Sequence, residues 1–137
     1  MRVDWAIPCS SFSLDNGLLS LDGADFNRLE VASLPAPLEF IAALKIIGLH
    51  EDFAEAADKE IEAHLLGPDM TSLTSMEFEA PEIEPAANHP EGWLVGVVLP
   101  VVVQFTAYSE GGHSLDFYVK GRYQEQRTIP FWIASSN

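Results

Sequence analysis

Residues 101–133 read VVVQFTAYSEGGHSLDFYVKGRYQEQRTIPFWI. Side chains of a strand point alternately to its two faces, so a period of two marks a half-buried strand. Val101, Val103 and Phe105 fall on one face, with Gln104 and Thr106 on the other. Leu115, Phe117 and Val119 alternate with Ser114, Asp116 and Tyr118. Ile129, Phe131 and Ile133 alternate with Thr128, Pro130 and Trp132. Ser109-Glu110-Gly111-Gly112 and Lys120-Gly121 read as turns, because glycine reaches positive φ at no steric cost. Pro130 has no N–H to give a ladder, so the last strand needs an edge or a bulge there.

The same pattern extends toward the N-terminus. Val3 to Pro8 reads as a strand, and Asp15-Asn16-Gly17 is a hairpin signal of the type I′ kind. Gly23 precedes a further strand over Phe26 to Val31. Leu38 to Ile47 fits a strand with Phe40, Ala42, Leu44 and Ile46 inward, and also a short helix with Leu38, Ile41 and Leu44 on one face. Pro35-Ala36-Pro37 offers no N-cap and Gly48 stops the run early, which favours the strand. Phe53, Ala57, Ile61 and Leu65 have helical spacing. The preferred alternative is a loop or single helical turn over 51–57, then a hairpin over 59–79 turning at Gly67-Pro68-Asp69. Residues 81–91 hold three prolines, three acids and no base, and read as a surface connection.

These segments predict one all-β domain over 1–137: an antiparallel, immunoglobulin-like β-sandwich of about seven to nine strands. One short helix near 51–57 is compatible with it. A single-layer sheet with one or two helices is the alternative.

The chain has 137 residues, with 21 acids against 7 bases, for a formal charge of −14. Apolar residues make up 47 %, too many for a disordered acidic chain. The charge is uneven: −3 over residues 1–50, −11 over 51–91 and zero over 92–137. This balance disfavours nucleic acid and anionic membranes as partners. Met1-Arg2-Val3-Asp4-Trp5 does not read as a signal peptide, since Asp4 interrupts it, and no apolar stretch approaches the ~20 residues of a membrane-spanning helix. Cys9 is the only cysteine, which excludes an internal disulfide. A cytoplasmic location is expected, with Cys9 a small buried residue rather than a nucleophile.

Several phrases together resemble a bacterial family of short, acidic, all-β domains of unknown function. They are Asp15-Asn16-Gly17, Leu34-Pro35-Ala36-Pro37, Leu66-Gly67-Pro68-Asp69 and His89-Pro90-Glu91-Gly92-Trp93. Leu99 to Phe105, Glu110 to Phe117, Val119-Lys120-Gly121 and Ile129-Pro130-Phe131 complete the set. These are turns and strand edges, so the resemblance implies the sandwich and no activity.

Candidate chemistry is sparse. His50, His64, His89 and His113 show no clip spacing for a metal and read as scattered surface residues. Glu51, Asp52, Glu55, Asp58, Glu60 and Glu62 lack the turn and offsets of a calcium loop. With 21 acids, a close carboxylate pair is no sign of glycoside hydrolysis. No nucleophile elbow, phosphate loop or dinucleotide fingerprint occurs. No enzyme activity, cofactor or metal is therefore expected. The chain reads as a non-catalytic module that binds a protein partner or a second copy of itself. One alternative is an acidic, charge-complementary inhibitor or immunity-type protein, contacting a basic partner through Glu77, Glu79, Glu82 and Glu84. Another is a carbohydrate-binding module using Trp132, whose parity opposes that of Ile129, Phe131 and Ile133 and so turns it outward.

Overall fold

A computed structural model describes residues 1–84 and 86–136, so Pro85 in the proline-rich connection lies outside the described residues. The strands are β1 (Arg2–Cys9), β2 (Ser11–Asp15), β3 (Leu18–Asp22), β4 (Arg28–Val31), β5 (Ala36–Gly48), β6 (Glu60–Leu66), β7 (Ser72–Glu79), β8 (Val95–Ala107), β9 (Gly111–Val119) and β10 (Arg127–Ser135). One sheet has the order β1-β5-β8, and a second has the order β4-β10-β9-β6-β7. The chain is all-β and sandwich-like, as its alternation predicts. The described residues form ten strands rather than seven to nine. Eight belong to the two sheets, and the β2–β3 hairpin forms a separate two-stranded sheet.

The core is built from one parity of each strand. β5 turns Phe40, Ala42, Leu44 and Ile46 inward, and β8 adds Val103 and Phe105. The larger sheet answers with Ile61, Ala63 and Leu65, then Leu115, Phe117 and Val119, then Ile129, Phe131 and Ile133. Phe40 stands at the middle, edge-on to Phe26 at 5.4 Å and to Phe131 at 5.6 Å between ring centroids. Full burial of each large side chain stabilises the fold by about 1.5–3 kcal/mol. Residues 38–47 are thus a strand, because every even position from Leu38 to Ile46 packs into this core.

Residues 51–64 are not one helix. A single 3₁₀ turn spans His50–Phe53 and buries Phe53. β6 then pairs antiparallel with β7, the hairpin expected over 59–79. Its turn uses left-handed backbone at Asp69 and Met70. Asn16 and Gly17 both take positive φ at the tip of the β2–β3 hairpin, as a type I′ turn requires. The turn after β8 ends sooner than the glycines suggest, for Gly111 already opens β9.

Pro130 is accommodated by a partial edge. β10 pairs in parallel with β4 only over Trp132 to Ser135. The Trp132 amide donates to the Asn27 carbonyl at 2.9 Å. Pro130, two residues earlier and on the same side, faces past the end of β4, so its missing N–H strands no acceptor. Nearby, the Asp25 amide donates to the Pro8 carbonyl at 2.7 Å. Arg127 Nε donates to the Asp4 carbonyl at 3.1 Å. These bonds close the β1/β10 side of the sandwich.

Candidate functional site

The two sheets present unlike outer faces. On the larger sheet, Glu60, Glu62 and His64 of β6 point away from the core, opposite Glu79, Glu77 and Ser75 of β7. The carboxylates of Glu60, Glu62 and Glu77 lie within 4.8 Å of one another. Lys120 Nζ donates to Glu60 at 3.0 Å. That bond lowers the Glu60 pKa below its ordinary 4.5, and a hydrogen bond to Glu60 together with its charge raises that of Glu77 above 4.5. A divalent ion at this cluster would have to compete with the ammonium already there. Tyr118, on the same face, is buried beneath His64, stacked at 5.7 Å, and Tyr123, at 4.7 Å. Burial first, then a hydrogen bond to Glu62, raises the Tyr118 pKa well above its ordinary range.

Glu77 and Glu79 therefore meet Glu62 and Glu60, which come from a different part of the acidic stretch. Glu82 and Glu84 are exposed on the connection after β7 and lie outside this sheet face. The single base of residues 51–91 does not offset these charges. Lys59 is buried, and its Nζ donates to the carbonyls of Ala54 at 3.1 Å and Glu55 at 3.2 Å. Trp132 is 52 % exposed. It lies opposite Gly112 on β9 and Arg28 on β4, with β9 and β6 between its strand and β7. The acidic cluster and the exposed indole are separate features.

The smaller sheet is different. The positions of β5 that face away from the core pair with outward positions of both neighbours. They bring together Trp5 and Ile7 of β1, Ile41 and Ile47 of β5, and Val98, Pro100 and Val102 of β8, around a fully buried Ala43. None of these belongs to the core cluster. Val102 is 55 % exposed. Lys45 stands within this apolar face, and Glu39 lies toward one end, accepting a bond from Gln104 Nε2 at 2.6 Å. This surface was missed in the sequence. Its signal was the apolar character of both parities between Leu38 and Ile47.

Cys9 is fully buried, and burial pushes its thiol pKa up, the opposite of an activated nucleophile. His113 is buried rather than at the surface, because it shares the inward parity of Leu115 and Phe117. It stacks on Phe131 at 5.4 Å, its Nδ1 bonds the Gly111 carbonyl at 2.9 Å, and its Nε2 has no partner among the described residues. His50 and His89 lie edge to face with ring centroids 6.0 Å apart. No helix among the described residues is long and apolar enough to cross a membrane. No protein-family model matches the chain, and no curated protein or solved structure matches it either.

Proposed function

We propose that the chain is a non-catalytic protein-binding module acting through the outer face of the β1-β5-β8 sheet. One observation carries this: a contiguous set of apolar side chains, from Trp5 to Val102, lies outside the core on a three-stranded sheet. Apolar surface gathered in one patch gains free energy when a partner removes it from water. A cytoplasmic location and the resemblance to a bacterial family of small acidic domains belong to the same proposal. The test is association measured at several salt concentrations for the wild-type chain and for Val102→Glu. The reading expects binding that the variant weakens. A strict monomer with no recoverable partner at any salt contradicts it.

A second reading draws on the acidic face. Glu60, Glu62, Glu77 and Glu79 are gathered on two paired strands, while Lys59 is turned inward. Such a face suits a basic partner, as an inhibitor or immunity-type protein would meet one. Binding through it falls with salt and with Glu77→Gln and Glu79→Gln. A carbohydrate-binding role keeps Trp132 as its platform and requires a change in tryptophan fluorescence on glycan addition.

A further inference from the structure

We infer that the apolar face of β1, β5 and β8 pairs with the same face of a second copy of this chain, about a two-fold axis passing over Ala42. The inference rests on the protein-binding reading above and names the partner.

Lys45 is the first observation. It stands on the apolar face and makes no ion pair or hydrogen bond among the described residues, in a chain with three times as many acids as bases. Its stem lies against Gly96, where a Cβ would come within 3.0 Å of Lys45 Cε. A cation left without an acceptor in its own chain suits a partner that brings one.

Glu39 is the second. It lies on the same strand and the same face, six residues before Lys45. At ~3.4 Å per residue the two are ~20 Å apart along β5, with Ala42 midway. A two-fold axis in the plane of the interface, perpendicular to the strands, reverses β5 and turns the two faces together. With that axis over Ala42, Lys45 of each copy meets Glu39 of the other. One register therefore makes two ion pairs. The same operation sets Pro100 over Val102, the two exposed apolar side chains of β8 on this face. Aligned sheets pack within about 30° of each other in this way.

Charge and edge chemistry select this arrangement over others. Two copies each carry −14, yet the outward pairing positions on this sheet hold Arg2 and Lys45 against Glu39. Glu60, Glu62, Glu77 and Glu79 lie on the opposite side of the sandwich, so this docking keeps the acidic faces farthest apart. Pairing β8 edge to edge is less suitable, because Pro100 interrupts the donors of that edge at its middle.

The test is sedimentation velocity on the full chain, from low micromolar to sub-millimolar concentration. The wild type is expected to pass from monomer to dimer, and Val102→Glu to raise the dissociation constant by about tenfold or more. Lys45→Glu alone and Glu39→Lys alone should each prevent self-association, since each sets like charges together twice. Mixed, the two variants should form a heterodimer, because both contacts are then attractive. Far-UV circular dichroism of each variant checks that the fold is kept. A dimer indifferent to Val102→Glu and to the mixing experiment overturns the face and the register. A wild type that stays monomeric overturns self-pairing. If Val102→Glu then abolishes binding to some other isolated protein, the protein-binding reading survives without it; if no such protein exists, both fail.

Discussion

Lys120, in the turn immediately after β9, donates from Nζ to Oε2 of Glu60 on β6 at 3.0 Å, and Glu77 lies on the far side of Glu60 from β9 in strand order. This bond divides the titration of the acidic face. Glu60 titrates below 4.5 and Glu77 above it. Glu77 holds its proton more tightly folded than unfolded, so stability is gained as pH falls through its folded pKa. Glu60 does the reverse, and its contribution is lost as pH falls below 4.5 through its lowered pKa. Relative to Glu77→Gln, the wild type should gain melting temperature as pH falls from neutral toward 4.5, by a small amount because the groups are exposed. Parallel melting curves across that range would show that the pair does not share a proton.

Phe40 and Trp132 should separate scaffold from surface. Phe40 contacts Phe26, Phe105 and Phe131, so Phe40→Ala should cost about 3–5 kcal/mol in urea unfolding. Trp132 is exposed, and Trp132→Ala should change stability by no more than about 0.5 kcal/mol. A large loss from the second substitution would make Trp132 part of the packing.

Lys59 should behave as a structural residue despite its charge. Its ammonium satisfies the carbonyls of Ala54 and Glu55 where the chain enters β6. Lys59→Met keeps the stem but leaves those acceptors without their donor, at a cost of about 1–3 kcal/mol. Unchanged stability would mean that water replaces the ammonium freely.

His113→Phe should keep stability to within about 1 kcal/mol, as loss of the bond to Gly111 is offset by removal of the unpartnered Nε2. The ring stacked on Phe131 is retained. A loss on the scale of Phe40→Ala would show that the imidazole has a partner on Nε2.

Strands with one buried face were legible because their parity is local. Leu115, Phe117 and Val119 declare β9 without any knowledge of its neighbours. Asn16-Gly17 declares its hairpin, and Pro130 its edge. The proximity of Glu60 and Glu62 to Glu77 was not legible, since it depends on the β6–β7 register, which carries a shift between Leu65 and Leu66. β4 was legible as a strand over Phe26 to Val31, but its partner was not, because it pairs in parallel with β10, about a hundred residues away. The apolar outer face was obscured because Ile41 and Ala43 alternate with core residues, and an apolar run at both parities also suits a buried helix. His113 could have been placed in the core from its parity with Leu115.

The outer face of the β1-β5-β8 sheet is tested most directly by comparing wild type and Val102→Glu in sedimentation velocity over a concentration series at low and high salt. A wild-type dimer that grows with concentration and persists at high salt is expected, because the apolar contact is not screened. The variant should need about tenfold or more higher concentration to reach the same dimer fraction. Equal behaviour of the two proteins at both salt concentrations would contradict self-pairing through that face.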